Sequence, residues 1–309
     1  VCGIAGIIYR NGGGNREVGR DMTRMLQAMK HRGPDSTGFA LYRGDADTYV
    51  MHVKLSEAAD DGAELAQRVQ RQRDQVEARM RAAGAEIESV KGTSRTMTVI
   101  FGFDGDLKLL ADAVEGVRHT EVLSLGRSLE IVKDLGDAET VSAQYDLDAY
   151  AGTHAIGHAR MATESDVDIA NAHPYWAYPF PDVAVVHNGQ LTNFHEWRRR
   201  LQRSGHRFQS DCDSEIIAVY LAERMSEGRS LEQAMRQSLT DLDGVFTYIC
   251  VTEDALGVAK DELGAKPLVL YEDDELVALA SEEIAIRQVL DREIETRDPY
   301  EGEVLVWTR

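Results

Sequence analysis

From residue 152 onward, short apolar runs alternate with amphipathic stretches, and this alternation restricts the fold more than any other feature. The runs at 153–159, 183–187, 245–251, 256–260, 267–271, 276–280 and 303–307 read as strands. The stretches at 193–204, 213–227, 231–241 and 282–290 read as helices between them. A helical face and a sheet face must each be buried against another element. Many short strands interrupted by clustered helices therefore predict a layered α+β fold with much antiparallel pairing.

The first half fits the same scheme. Residues 2–9 read as a buried strand, and Val18, Met22, Met25, Leu26 and Met29 mark a helix over 17–30. His31-Arg32-Gly33-Pro34-Asp35 breaks that helix into a loop. Strands follow at 38–43 and 48–54. Residues 57–84 are rich in Ala, Glu, Gln and Arg and poor in strand formers, which predicts a long exposed helix. A strand at 96–103, a helix at 106–116 and strands at 120–125 and 128–134 complete this half. The stretch of about 57–125 reads as an α/β insertion within one domain of residues 1–309, not as a separate domain.

Composition narrows the function classes. A formal net charge of −19 over 309 residues disfavours a broad nucleic-acid surface and an anionic membrane as partners. No apolar run approaches the roughly 18 residues that span a bilayer. The first residues lack the basic and long apolar regions of a secretory signal. Cysteines at 2, 212 and 250 have neither metal-site spacing nor a disulfide framework, so a cytoplasmic location is expected. Residue 1 is Val where a start would normally supply Met, as a non-standard start codon read literally would give. Without export, exposing Cys2 as an N-terminus requires an aminopeptidase or self-processing.

Four segments concentrate residue types suited to chemistry. Cys2, freed at its nitrogen, would join a thiol nucleophile to an α-amine whose reference pKa of about 7.7–8.0 suits a general base; a buried, inert cysteine is the alternative. Arg32 in the His31–Asp35 loop is either solvated or held in place by the neighbouring Gly33 and Pro34. Arg160, in Gly157-His158-Ala159-Arg160-Met161-Ala162-Thr163, offers a planar fork for a carboxylate or makes a surface ion pair. Asn188-Gly189 follows an apolar strand. It is either a turn or a pair of donors, side-chain amide and backbone N–H, aimed at an oxyanion. In Ser210-Asp211-Cys212-Asp213, either Asp could cap the helix beginning near 214, or hold a substrate ammonium group. Together these residues supply a nucleophile, a base, an oxyanion hole and head-group partners for an amino acid. An amino acid with a side-chain carboxamide, glutamine, is the natural common substrate.

These segments resemble the class II glutamine amidotransferases, members of the N-terminal nucleophile hydrolases. The matching stretches are Cys2-Gly3-Ile4, His31–Asp35, His158–Thr163, Asn171-Ala172-His173-Pro174, His187-Asn188-Gly189 and Asp213-Ser214-Glu215. Asp261-Glu262-Leu263-Gly264-Ala265-Lys266-Pro267-Leu268, Ala280–Glu283 and Pro299-x-x-Gly302-Glu303 fit later parts of the pattern. The resemblance implies a four-layer αββα sandwich. It implies Cys2 as nucleophile and amine base, Asn188 and Gly189 as oxyanion hole, and Arg32 as support around Cys2. It places the glutamine α-carboxylate near Arg160 and Thr163 and the α-amine at Asp213. Met161 and Glu164 depart from residues found in other members and bear on the pocket's shape.

No stretch remains for a synthase domain of the phosphoribosyl-transferring, sugar-isomerising or ATP-using kinds. The chain is thus similar to the stand-alone glutaminase subunit of the glutamate-synthase-like N-methylglutamate synthases. That likeness implies a hetero-oligomer with glutamate-synthase-like partner subunits. It implies no cofactor in this chain, with any FMN and iron–sulfur clusters in the partners. The competing reading is a non-catalytic glutamine-binding regulatory or structural subunit of such a complex. A plain cysteine peptidase ranks behind both, since nothing marks a peptide groove.

Overall fold

The computed structural model describes residues 2–10, 16–44, 46–56, 63–93, 95–161 and 172–309. The first part of the chain forms β1 (Gly3–Tyr9), α1 (Val18–Ala28), β2 (Ser36–Tyr42) and β3 (Tyr49–Lys54). Next come α2 (Ala63–Ala82), β4 (Glu86–Gly92), β5 (Thr96–Gly102), α3 (Leu107–Glu115) and β6 (Glu121–Gly126). The middle holds β7 (Leu129–Leu135), α4 (Ala138–Tyr145), β8 (His154–Arg160), β9 (Tyr175–Trp176) and β10 (Ala184–Leu191). Helices α5 (Phe194–Arg203), α6 (Asp213–Ser226) and α7 (Leu231–Asp241) precede β11 (Gly244–Val251) and β12 (Ala255–Lys260). The chain closes with β13 (Val269–Glu272), β14 (Leu276–Ala280), α8 (Glu283–Ile286) and β15 (Val304–Thr308).

Three antiparallel sheets result. The first runs β13-β14-β1-β8-β2-β7, the second β15-β12-β11-β10-β9 and the third β4-β5-β3-β6. Strand β1 lies inside the first sheet and is buried on both faces, which is why 3–8 read as an unbroken run of small and branched residues. Its Ile4 and Ile8 join Val186, Ile249 and Leu256 of the second sheet in one core, so the two sheets pack face to face. At Gly6 an added Cβ would lie 3.2 Å from Leu256, so the small residue permits this approach. The opposite face of the first sheet carries α1, α4 and α8 through Met22, Met25, Leu26, Val141 and Ile286. The opposite face of the second carries α6 and α7. Helix α6 is buried on all sides over Ile216–Ala222, between α5, α7 and the sheet.

The mixed α+β class and the antiparallel pairing agree with the sequence reading, and most elements fall within a few residues of their expected bounds. The exceptions have physical causes. Strand β4 is an edge strand of sequence Glu-Ile-Glu-Ser-Val-Lys-Gly, whose charges hide it from an apolar-run search. Helix α4 was masked by its weak amphipathicity; Asp137 caps it through the Thr140 N–H at 3.0 Å. The helix expected over 282–290 stops at Ile286. Beyond it, Gln288 N–H donates to the Ala285 carbonyl and Val289 N–H to that of Ile286, a tighter turn. Helix α2 is not simply exposed, because Val69, Val76 and Met80 are buried against the third sheet and α3. That sheet takes in β3 as well, so it reaches back before the 57–125 stretch. Residues 57–62, at the start of the expected helix, lie outside the described residues.

Candidate active site

Strand β1 brings Cys2 to the rim of the first sheet, because Gly3 pairs with Ala159 near the end of β8. Three elements distant in sequence converge there. The Cys2 carbonyl accepts hydrogen bonds from Arg32 Nε at 3.2 Å and from Asn188 Nδ2 at 3.1 Å. Arg32 leaves the short turn after α1 and is mostly buried, with its Nη1 bonded to Glu282 Oε1 at 2.5 Å. Glu282 also accepts from His31 Nε2 at 3.2 Å. Ser281 locks the base of the strand: its Oγ accepts from Ile4 N–H at 3.0 Å, and its N–H donates to the Ile4 carbonyl at 2.9 Å. Asn188 Nδ2 lies 3.4 Å from the same Oγ. Both Asn188 amide hydrogens therefore have acceptors within reach at the Cys2 end of β1.

Sequence reasoning singled out Cys2, Arg32 and Asn188, and they are brought together. It assigned no role to Ser281 and Glu282, although they position the other three. Their only trace in the sequence is membership of the Ala280–Glu283 segment, because contacts that span more than 200 residues leave no local pattern.

Arg160 ends β8 beside this cluster. Its carbonyl accepts the Asp35 N–H at 3.1 Å, and its backbone presses on Gly33, where an added Cβ would lie 2.4 Å from the Arg160 carbonyl carbon. The Gly in the His31–Asp35 loop thus has a steric cause. Gly189 follows Asn188 on β10 with φ of 138°, and an added Cβ would lie 2.0 Å from the Val245 carbonyl oxygen. Asp213 opens α6. Its Oδ2 accepts the Leu191 N–H at 2.8 Å, and its Oδ1 lies 3.9 Å from His187 Nδ1. It faces β10 three residues beyond Asn188, with its side chain about one-fifth exposed. Neither Asp211 nor Asp213 caps α6, because Cys212 holds the N-cap position and no side chain there accepts a cap bond; Asp213 lies in the first turn, where a carboxylate suits the helix dipole. Val1, Thr163, Glu164 and Asn171 lie outside the described residues.

Behind these residues sits a buried imidazole group. His158 and His173 stack with ring centroids 4.1 Å apart, and His187 approaches His173 at 6.4 Å. His187 Nδ1 bonds the Ser214 hydroxyl at 2.7 Å, while both ring nitrogens of His158 and His173 find no hydrogen-bond partner among the described residues. Burial, with the nearby Arg160 and His187, pulls the His158 pKa down to about 3. Burial also lowers His173 and His187, the latter against the opposing pull of Asp213. The three rings are therefore neutral at physiological pH. Among the described residues no group of His, Cys, Asp and Glu has metal-binding geometry, and no helix is long and apolar enough to cross a membrane.

Known proteins resemble this chain in sequence and in fold. The glutamine amidotransferase domain pattern fits residues 158–288. The chain is 41% identical to a protein of Methanothermobacter thermautotrophicus named "Putative glutamine amidotransferase", over 99% of both chains. It is 35% identical to the glutamine amidotransferase-like protein GlxB of Rhizobium meliloti, over 95% of this chain and 93% of that one. The chain belongs to the glutamine amidotransferase family, in its class II. Its fold is similar to that of the allosteric regulatory enzyme of purine biosynthesis, with a TM-score of 0.63 at 20% identity, covering 99% of this chain and 47% of that one. A glutamine phosphoribosylpyrophosphate amidotransferase from B. subtilis gives 0.62. The chain thus spans nearly all of these two curated relatives and about half of these solved structures.

Proposed function

We propose that this chain hydrolyses the side-chain amide of L-glutamine through Cys2 and hands the ammonia to a partner subunit. The reading rests above all on one observation: the Cys2 carbonyl is fixed from two sides by Arg32 and Asn188. A thiol on a pinned backbone is positioned for attack, whereas an inert cysteine needs no such hold.

With Cys2 as the free N-terminus, its α-amine takes the thiol proton as the sulfur adds to the carboxamide carbon. The carbonyl oxygen becomes an oxyanion, held by the Asn188 side-chain amide and the Gly189 N–H. Asn188 must then turn one hydrogen from Cys2 or Ser281 to the oxyanion. Collapse breaks the C–N bond, the ammonium of Cys2 returns the proton, and ammonia leaves. Water then cleaves the thioester to give glutamate and restores the thiol. Arg160 and Thr163 take the substrate α-carboxylate and Asp213 its α-ammonium.

The four-layer αββα architecture of N-terminal nucleophile hydrolases belongs to this reading. Support comes from the separate cores on the outer faces of the two central sheets and the shared core between them. The finer proposal is the glutaminase subunit of an N-methylglutamate-synthase-like hetero-oligomer in the cytoplasm, with any FMN and iron–sulfur clusters in the partners. Keeping ammonia from water favours direct transfer, because free ammonia is mostly protonated at neutral pH. Residues 57–125 would then contribute to the partner interface.

The test is glutamate release from L-glutamine by chain shown by intact mass to begin at Cys2. Turnover is expected there and should vanish in Cys2→Ala. Wild-type turnover in that variant, or full activity with Val1 attached, would discard the mechanism.

A further inference from the structure

Asp213 stands in the first turn of α6, and Cys212, at the N-cap position, holds that turn with no side-chain bond. Glu215 holds it instead. Its Oε1 accepts the Gln209 N–H at 2.7 Å. Its Oε2 accepts the Ser210 N–H at 2.8 Å and the Ser210 hydroxyl at 2.7 Å. Ser210 Oγ accepts the Cys212 N–H at 3.2 Å. One carboxylate thus closes residues 209–215 into a loop, and Asp213 lies within it.

The far side of this loop is anchored to other elements. Gln209 Nε2 donates to Glu115 Oε1 at the end of α3, at 2.9 Å, and to the Val122 carbonyl of β6, at 2.8 Å. Arg198 Nη1 of α5 donates to the Ser210 carbonyl at 2.7 Å. The near side faces the candidate site. Asp213 Oδ2 accepts the Leu191 N–H of β10 at 2.8 Å, and the Ser214 hydroxyl donates to its Oδ1 at 3.3 Å. Glu215 therefore ties the turn that carries Asp213 to a fixed support.

A helix start does not need a buried carboxylate for this. Glu215 is 1% exposed, and burial raises its pKa against the hydrogen bonds of Gln209 and Ser210. Burying such a group costs free energy, and a Ser, Thr or Asn at the N-cap would satisfy the first turn without it. In a capping box the carboxylate three residues into the helix reaches back only to the N-cap N–H. Here it reaches donors five and six residues earlier. It fixes a whole segment, and with it the backbone of Asp213.

We infer that Glu215 is a positioning residue for substrate recognition, setting the Asp213 carboxylate where the α-ammonium of glutamine binds. The inference rests on the glutaminase reading and on the role given there to Asp213. Glu215 acts through Asp213 and does not touch the substrate.

Steady-state kinetics of chain beginning at Cys2 test it, with glutaramate, which is glutamine without its α-amine, as competitive inhibitor. Glu215→Gln keeps the volume but sets an amide NH2 against a backbone N–H, so at least one of the three bonds is lost. KM for glutamine should rise at least about tenfold, with kcat within about threefold. The inhibition constant of glutaramate should stay within about twofold, because that ligand has no ammonium to misplace. Loss of packing alone would weaken both ligands together. Glu215→Gln should add little to KM in an Asp213→Asn background, since the two act as one unit. Should Glu215→Gln fail to fold, Ser210→Ala removes one bond to the same carboxylate and should raise KM for glutamine in the same selective way. Unchanged KM in the folded variants, a parallel rise for glutaramate, or full additivity with Asp213→Asn would each overturn the role of Glu215 while leaving the glutaminase reading intact. A native chain that releases no glutamate from glutamine would overturn that reading, and this role with it.

Discussion

The side-chain amide of Asn188 donates to the backbone carbonyl of Cys2 at 3.1 Å, across 186 residues of chain. One residue thus holds the strand that carries the thiol and, in the proposed mechanism, supplies the oxyanion donor. Replacing Asn188 with Ala should therefore cost kcat by roughly 10²–10³-fold, as loss of a single oxyanion donor does, with a smaller change in KM. Steady-state glutaminase kinetics check this. A variant with intact kcat would remove Asn188 from the reaction.

Glu282 acts through Arg32. Its carboxylate holds the guanidinium whose Nε bonds the Cys2 carbonyl. Glu282→Gln should lower kcat by about tenfold and leave KM for glutamine nearly unchanged, because a 1 Å misplacement of the nucleophile is costly while the head-group partners are untouched. Glu282→Asp should recover part of the loss. A rise in KM alone would assign Glu282 to substrate binding instead.

Arg160 and Asp213 should govern recognition of the amino-acid head group. Arg160→Ala and Asp213→Asn should each raise KM strongly, since a charged substrate group is left without its partner. Asn at 213 retains an oxygen for the Leu191 N–H, so the α6–β10 contact survives. A double variant that binds glutamine like the native chain would refute both roles.

Stability should fall on mild acidification before ordinary carboxylates titrate. His158 and His154 have folded pKa values lowered to about 3 and about 4, chiefly by burial, and His173 and His187 are lowered as well. The unfolded chain binds protons near pH 6.5, while these folded rings remain neutral. Their stabilising effect is thus complete above about pH 6.5 and is lost progressively as pH falls toward the folded values. Each contributes a slope of up to about 1.4 kcal/mol per pH unit in that window. Denaturant midpoints at about pH 7, 6 and 5 should drop steadily. A flat profile would mean that these rings are not held neutral by burial.

Gly189→Ala should destabilise the chain by more than about 1 kcal/mol, because φ of 138° suits Gly and an added Cβ meets the Val245 carbonyl. Denaturant unfolding measures this directly. A neutral substitution would show that β10 can relax without cost.

The sequence by itself determined the α+β class and most strand and helix positions, and it singled out Cys2, Arg32, Arg160, Asn188 and Asp213 as candidates. Apolar periodicity is local, and the chemistry of those side chains is written in their type. The Asn-Gly pair is not a turn: Asn188 and Gly189 lie within β10, paired with Thr247 and Phe246 of β11. Only the tertiary structure decided that Ser281 and Glu282 brace the site and that three neutral histidines pack behind it. Each depends on groups far apart in the chain whose burial and hydrogen bonds exist only after the sheets have closed. Desolvation and partner geometry then set charge and tautomer, and neither is encoded in any short stretch of residues.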